Sequence, residues 1–389
     1  MSKIVFFCIP AHGHTNPTLG VVRELVGRGH EVWYYSYEAF REKIEAAGAK
    51  FIACDTYDVE QNLKPEDAAR VGKDLAFSTR ILVDTTLALD DMVCKAMEEL
   101  QPDCIVADSM AVWGKAIAKK LGIPFVSSTT TFAFNKHSAQ IMKQSIGELF
   151  RMIFSMPSIN KDIRRLQDKG YPINSILDII QNDEFTDTVV YTSPEFQPCA
   201  DTFSDKYAFV GPSIREPEST FVKEREKLIY ISMGTVNNNL MKLYRNCIQA
   251  FKDTDYQVLM SVGNLADVEA LGELPSNISV QRHVDQIAVL EKADVFLTHC
   301  GMNSVTESLY HKVPVLMYPQ TGEQGGVANR VEQLNAGVRL KKNTADMIRS
   351  GVEELLTNEN YAENAAQISE GFKRCAGAKA AADKILSMC

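Results

Sequence analysis

The sequence predicts an α/β protein with two doubly wound parallel sheets, each in its own domain. Short apolar segments alternate with helical segments along most of the chain, as in successive β-α-β units. The alternation occurs twice, before and after a polar segment at residues 212–220 that contains two prolines. A length of 389 residues also favours two domains, since a single domain commonly has ~150 residues.

In the first half, an apolar strand at residues 4–9 is followed by a loop with Pro10 and Gly13. The next helix is expected to begin at Pro17 and end at Gly29. The same alternation continues with strands at 30–35, 51–53 and 104–107 and helices at 39–47 and 111–121. The second half repeats it with strands at 228–231, 257–261, 278–281, 295–297 and 315–318 and helices at 287–292 and 304–311.

Residues 130–187 interrupt the alternation and are rich in phenylalanine and methionine. These side chains can line an adaptable apolar pocket, although such clusters are more often ordinary core. The sequence leaves both interpretations open for Phe132, Phe134, Met142, Phe150, Met152, Phe154 and Met156.

Composition excludes several classes of partner. With 41 basic and 50 acidic residues the net charge is −9, which argues against nucleic acid and anionic membranes. Nine cysteines without a C-x-x-C pair favour a reduced compartment, so we expect a cytoplasmic protein. No apolar run has the length of a signal peptide or a membrane span. A small-molecule ligand is therefore favoured.

Residues 298–307, with the sequence THCGMNSVTE, predict an anion-binding site. We expect Gly301 to allow a sharp turn after the preceding strand and Asn303 or Ser304 to open a helix to His311. A helix start carries roughly +0.5 charge and free N–H groups, so it can hold a diphosphate. His299 could add a donor. Alternatively, Ser304 and Glu307 form a capping box that binds nothing.

Other polar residues follow predicted strands, where ligands bind in open α/β sheets. They are His12, His14 and Asp108 in the first half and Gly234, Thr235, His283 and His299 in the second. Histidine near its ordinary pKa of 6.5 can accept a proton from a hydroxyl, and a carboxylate can orient it. His14 with Asp108 is the candidate pair. His12 is an alternative base, and Asp108 could instead cap the helix after it.

Residues 299–307 match in full the H-x-G-x-N-S-x-x-E signature of the inverting UDP-glycosyltransferases, which this chain resembles over nearly its whole length. Met302, residues 312–314 and residues 319–324 bring it nearest to the bacterial macrolide glycosyltransferase branch. Residues 10–17 also resemble that family's G-H-x-N-P segment, which places the catalytic histidine at His14. The resemblance implies the GT-B fold, two Rossmann-like domains facing across a cleft.

The resemblance also assigns the domains. Residues 1–212 are expected to bind the acceptor and carry the base, residues 213–220 to form the linker, and residues 221–375 to bind the nucleotide sugar. Residues 376–389 are expected to form a helix that docks on the first domain. The implied donor-site residues are Gly234, Thr235, His283, Val284, Gln286, His299, Gly301, Asn303, Ser304, Glu307, Glu323 and Gln324.

Within that set, His283 is expected to stack on uracil, Gln286 to contact the base edge and Glu307 to bind the ribose. Glu323 and Gln324 would hold the sugar hydroxyls. The chain departs from the family pattern at two places, because His283 stands where tryptophan is usual and Asp285 where proline is usual. Donor base identity is therefore less secure than the diphosphate site.

The implied activity is metal-independent transfer of a hexose, with glucose favoured, from a UDP-sugar to a hydroxyl of a hydrophobic small molecule, giving a β-glycoside. No cofactor is expected, since the D-x-D at residues 253–255 has the composition of a turn. Alternatives are a glycolipid or cell-envelope transferase, a nucleotide-sugar epimerase, or a non-catalytic nucleotide-sugar-binding relative. The sequence does not identify the acceptor.

Overall fold

The computed structural model describes residues 1–55, 74–138, 146–176, 178, 185–235 and 238–389, and the side chains of residues 146–153 are outside that description. Two parallel sheets form the chain's architecture. The first has seven strands in the order β3-β2-β1-β4-β5-β6-β7 and the second has six in the order β10-β9-β8-β11-β12-β13. These sheets confirm the predicted fold class.

The first sheet holds β1 to β7, and its helices are α1 to α5. The strands are Lys3–Phe7, Glu31–Ser36, Lys50–Ala53, Cys104–Asp108, Phe125–Thr129, Thr188–Val190 and Tyr207–Phe209. The helices are His12–Gly27, Arg41–Ala46, Leu75–Leu100, Val112–Leu121 and Ile146–Asp168. The 26-residue α3, which the sequence analysis did not predict, packs against α4 and α5.

The second sheet holds β8 to β13, and α6 to α12 follow in chain order. The strands are Leu228–Ser232, Gln257–Ser261, Ile278–Gln281, Val295–Thr298, Val315–Met317 and Gly337–Arg339. The helices are Met241–Phe251, Gln286–Leu290, Met302–Tyr310, Gly322–Gln333, Ala345–Thr357, Glu359–Arg374 and Ala378–Leu386. Every helix of the described residues is too short or too polar to cross a lipid bilayer.

Strand order places the candidate site. In each parallel sheet the order of successive strands reverses at a switch point. This point lies between β1 and β4 in the first sheet and between β8 and β11 in the second. Ligands of doubly wound sheets bind beyond the carboxyl ends of the strands at that point. Asp108 is the last residue of β4, and His14, Gly234 and His299 follow the other three strands.

The last helix, α12, packs on the first domain against α1. Ala381, Ala382 and Ile385 are at most 1% exposed and belong to the apolar cluster on that face of the first sheet. Arg28, which directly follows α1, also forms an ion pair with Asp383 at 2.5 Å. Residues 210–227, between β7 and β8, contain neither helix nor strand.

The aromatic segment after β5 is divided between core and surface. Phe132 is 2% exposed and joins Phe196 and Phe372 in the second domain's apolar cluster, against which Phe134 also packs. Met156 packs within the first domain, whereas the side chain of Phe154 is exposed. Met142 and the side chains of Phe150 and Met152 lie outside the described residues.

Candidate active site

The edges that carry the candidate residues face each other and are in contact. Asn303, in the first turn of α8, donates from Nδ2 to the carbonyl oxygen of Gly13 at 2.8 Å. Gly13 immediately precedes His14 in the first turn of α1. The predicted base and the predicted diphosphate site therefore lie on opposite walls of one cleft.

Pro17 explains why the Gly13 carbonyl is available. The sequence predicted that α1 begins at Pro17, but the helix begins at His12 and Pro17 lies inside it. Proline has no N–H to donate to the carbonyl four residues earlier. That carbonyl belongs to Gly13, so it is left for a partner from the other domain.

His14 and Asp108 form a hydrogen-bonded pair. Nδ1 of His14 lies 2.7 Å from Oδ2 of Asp108, whose side chain is fully buried. The other carboxylate oxygen, Oδ1, accepts the backbone N–H of Met110 at 2.8 Å. Asp108 therefore contacts the histidine and stabilises the turn before α4. It does not cap that helix, whose N-cap is Ala111 without a side-chain hydrogen bond, so the capping interpretation was wrong.

Thr130 is a further neighbour of His14 that the sequence analysis missed. Its Oγ1 lies 3.1 Å from Nδ1 of the histidine, and the residue is buried directly after β5. The strand-end rule that selected Asp108 after β4 applies equally to Thr130 after β5. The signal was therefore present in the sequence, but this residue was grouped with the aromatic segment.

The contacts of His14 define its tautomer and shift its pKa. Its hydrogen bonds to the described residues are both at Nδ1, so a proton at Nδ1 leaves Nε2 as the free base. Desolvation alone would lower the pKa of His14. The charge and hydrogen bond of Asp108, with a smaller contribution from Glu323, outweigh desolvation and raise that pKa.

His12 has a different environment. It is exposed at the first position of α1, and its ring packs on Phe40 at 5.0 Å between ring centroids. Desolvation, followed by the charges of Lys43 and His283, lowers its pKa. Since the carboxylate of Asp108 orients His14, the geometry favours His14 over His12 as the base.

The helix start of α8 is open to a ligand. The predicted start at Asn303 or Ser304 and the end at His311 were wrong by one or two residues, since α8 runs from Met302 to Tyr310. Gly301 is the N-cap and no side chain caps the helix. The alternative capping box is absent because Ser304 lies inside the helix, and the side chain of Glu307 accepts a hydrogen bond from Gln286. The first N–H groups of α8 therefore remain available for an anion.

The turn before α8 differs from the predicted turn. The left-handed residue is Cys300, with φ 67°, whereas Gly301 has φ −59°. Gly301 is needed for space instead, because a Cβ there would lie 2.6 Å from Nε2 of His299. A Cβ at Gly234 would lie 2.6 Å from Cε1 of the same ring. His299 is thus held between two glycines, and desolvation lowers its pKa to about 4.

The expected nucleoside residues form a connected group behind α8. Gln286 donates from Nε2 to Glu307 at 2.6 Å and accepts from the Tyr230 hydroxyl at 3.1 Å. Desolvation of Glu307 raises its pKa, and the Gln286 hydrogen bond opposes that rise. Exposed His283 contacts Asn264 at 2.8 Å, and Val284 packs against the apolar cluster beneath. The exposure of His283 suits a residue that stacks on a ligand.

The expected sugar-binding pair lies at the start of α9. Glu323 is in its first turn and is close enough to His14 that each side chain affects the pKa of the other. Desolvation raises the pKa of Glu323, and His14 opposes that rise. Gln324 accepts the N–H of Gln320 at 2.7 Å. The pair therefore lies at the cleft, next to the base, while Thr235 is exposed after β8.

The D-x-D segment lies away from this cleft. Residues 253–255 form the connection between α6 and β9, at the amino end of that strand and so at the opposite edge of the sheet. Thr254 donates from its hydroxyl to the carbonyl of Phe251, and Asn277 bonds the carbonyl of Thr254. Among the described residues, no three His, Cys, Asp or Glu side chains cluster as metal ligands would.

Comparison with known proteins agrees with this architecture. A family profile described as UDP-glucoronosyl and UDP-glucosyl transferase matches residues 215–374. A protein of Bacillus subtilis (strain 168) named uncharacterized UDP-glucosyltransferase YojK is 32% identical over 401 residues, covering 99% of this chain and 97% of the relative. Oleandomycin glycosyltransferase of Streptomyces antibioticus is 27% identical over 397 residues, covering 99% and 90%.

A solved structure extends the similarity to three dimensions. The glycotransferase of kitacinnamycin superimposes with a TM-score of 0.86 at 27% identity, covering 100% of this chain and 98% of that one. The fold and site thus define a glycosyltransferase of the GT-B class. The chain belongs to the UDP-glucuronosyl and UDP-glucosyl transferase family, and its relatives include macrolide glycosyltransferases.

Proposed function

We propose that this glycosyltransferase moves a hexose, with glucose as the favoured sugar, from UDP to a hydroxyl of a hydrophobic small molecule, with inversion. One observation carries the proposal. A histidine held by a buried carboxylate at 2.7 Å faces an uncapped helix start across the cleft, and Asn303 joins the two walls. This arrangement combines a base for the acceptor with a seat for the leaving diphosphate.

In the proposed reaction, Nε2 of His14 takes the proton of the acceptor hydroxyl while its oxygen attacks the anomeric carbon. The bond from that carbon to the diphosphate oxygen breaks, and its electron pair leaves with the nucleotide. Asp108 stabilises the imidazolium that forms. The N–H groups at the start of α8 stabilise the charge on the diphosphate. A single displacement on an α-linked donor gives a β-glycoside.

Residues of the cleft and the names of relatives support the proposed donor and acceptor classes. Glu323 and Gln324 supply carboxylate and amide groups suited to sugar hydroxyls, and Glu307 a carboxylate suited to a ribose. The relatives named for UDP-glucose and for oleandomycin favour that sugar and an apolar natural product. Metal-independent transfer is part of the proposal, because the helix start neutralises part of the diphosphate charge.

The test is mass spectrometry of purified protein with UDP-glucose and a panel of flavonoids, macrolides and simple phenols, in EDTA. We expect a product heavier by one hexose, with an anomeric proton coupling typical of a β-glycoside. An Asp253→Asn, Asp255→Asn double variant is the matched control and should behave as wild type. An α-linked product contradicts inversion, and activity that requires added metal contradicts the metal-free mechanism. UDP binding without any product across sugars and acceptors would favour a non-catalytic relative.

A further inference from the structure

Asp285, which stands where the family usually has proline, makes several hydrogen bonds to the segment between the domains. Its Oδ1 accepts from the guanidinium of Arg215. Its Oδ2 accepts the backbone N–H groups of Glu218 and Ser219 at 2.6 and 2.9 Å. The side chain is only 8% exposed. Despite desolvation, these partners lower the pKa of Asp285, so it is a carboxylate at neutral pH.

The neighbours of Asp285 point elsewhere, each to a different partner. His283 contacts Asn264, Val284 packs on the apolar cluster, and Gln286 joins Tyr230 and Glu307. Each of residues 283–286 is therefore held by its own contacts. We call these four residues the base loop. Asp285 supplies the contacts of the base loop to the linker at residues 213–220.

We propose that Asp285 is a positioning residue for the nucleotide: by tethering the base loop to the linker, it sets the placement of His283 and Gln286. This inference rests on the proposed function, since it assumes that the base loop receives the donor base. The tether works through the backbone of Glu218 and Ser219 and through Arg215, all of which lie in the segment that leads from the first domain to β8.

Backbone geometry distinguishes a tether from simple stiffening of the loop. Asp285 has φ −73°, a value that proline also adopts, and it directly precedes α7. Asp285→Pro therefore restores the usual family residue with a compatible φ. It removes the three hydrogen bonds described above and a fourth, longer one from the Ser219 hydroxyl. If stiffness were the role of residue 285, proline would substitute for aspartate.

The experiment measures UDP affinity by calorimetry and donor KM and kcat for Asp285→Asn, Asp285→Ala and Asp285→Pro. We expect Kd for UDP and KM for the donor to rise about tenfold in the alanine and proline variants, with kcat within about twofold. Asn should give a smaller rise. Arg215→Gln should act in the same direction and non-additively with Asp285→Asn, because both remove one tether.

Hydrogen exchange without nucleotide gives a readout independent of turnover. Amides of residues 283–290 should exchange faster in Asp285→Asn. The matched control is Asp294→Asn, because Asp294 accepts from Lys223 of the same segment and from the N–H of Leu228 at the start of β8, at the opposite edge of the sheet. It should lower the melting temperature and leave KM unchanged.

Wild-type protein that neither binds UDP nor transfers sugar would refute the proposed function itself. Wild-type activity with an unchanged KM in Asp285→Ala would refute the tether alone. Full recovery of KM in Asp285→Pro would also overturn the tether and assign residue 285 to loop stiffness. A rise in KM for Asp294→Asn equal to that for Asp285→Asn would show a general loss of folding.

Discussion

The carboxylate of Asp108 accepts hydrogen bonds from two parts of the first domain at once, from Nδ1 of His14 at 2.7 Å and from the N–H of Met110 at 2.8 Å. The second bond fixes the plane of the carboxylate, so the first is held in a defined direction. Since Asp108 is buried, water does not compete for either oxygen. The base is therefore orientated by the turn that begins α4 as well as by its own helix.

Asp108→Asn should separate these two contacts. Asn can still accept the Met110 N–H through its oxygen, but its NH2 group facing His14 favours the wrong tautomer of the imidazole. We expect kcat to fall about 10²–10⁴-fold, with UDP affinity retained. Steady-state kinetics and calorimetry measure both. An equal loss of nucleotide affinity would show that Asp108 acts through the fold.

His14→Ala should remove proton transfer and leave the donor site intact. A general base contributes about 10²–10⁴-fold, so transfer to ordinary alcohols should fall by that factor. Acceptors with acidic phenols should lose less, because they ionise without the base. His12→Ala is the matched control and should retain most of the activity. A larger loss in His12→Ala than in His14→Ala would reverse the assignment of the base.

The acid limb of the pH profile should report His14. Its pKa is raised by Asp108 and Glu323, and only the neutral imidazole accepts a proton, so kcat/KM rises with pH through a midpoint above 6.5. Glu323→Gln removes a negative charge and should move that midpoint to lower pH. The profile is recorded with an unionised alcohol acceptor. A shift to higher pH would contradict the contribution of the Glu323 charge to the pKa of His14.

Gly301→Ala should impair the diphosphate site without straining the backbone. The new Cβ would lie 2.6 Å from Nε2 of His299, while φ at this residue suits any amino acid. We expect about tenfold weaker UDP binding, measured by calorimetry. Gly322→Ala is the control, since nothing lies within 4 Å of its Cβ position. His299→Ala in the same chain should relieve the clash, and a purely additive loss would contradict it.

Ile385→Ala should weaken the attachment of α12 to the first domain. Ile385 is 1% exposed in the cluster shared with α1, and deleting such a side chain to alanine costs about 2–5 kcal/mol. Urea unfolding measures the change. Lys379→Ala, on the exposed side of the same helix, should stay within about 0.5 kcal/mol. An equally small change in the free energy of unfolding for both variants would show that α12 contributes little to the core.

Periodicity and strand-end rules predicted much of the fold and the cleft. Apolar strands such as Val295–Thr298 are recognisable because both faces of a parallel sheet are buried. α3 was missed although its N-cap, Asp74, is a residue type that commonly begins helices. The start of α1 was misplaced because Pro17, normally a first-turn residue, lies one turn further in.

The details that sequence could not supply depend on packing between distant residues. The left-handed backbone conformation occurs at Cys300. Gly301 is restricted in space instead, because the ring of His299 occupies the place where its side chain would lie. Asp285 departs from the family pattern, and its proposed role depends on contacts with the linker. Its partner Arg215 lies 70 residues earlier in the sequence. Such pairings require coordinates.

Pro17 has a consequence for how the cleft can open and close. Because the Gly13 carbonyl has no helical donor, its bond to Asn303 exchanges for one to water when the walls separate, and α1 loses none of its own hydrogen bonds. Separating the two walls to admit a substrate would therefore break the bond to Asn303 without breaking a helical bond from residue 17. Restoring the N–H with alanine at residue 17 would instead make the helix compete with the opposite domain for the same oxygen.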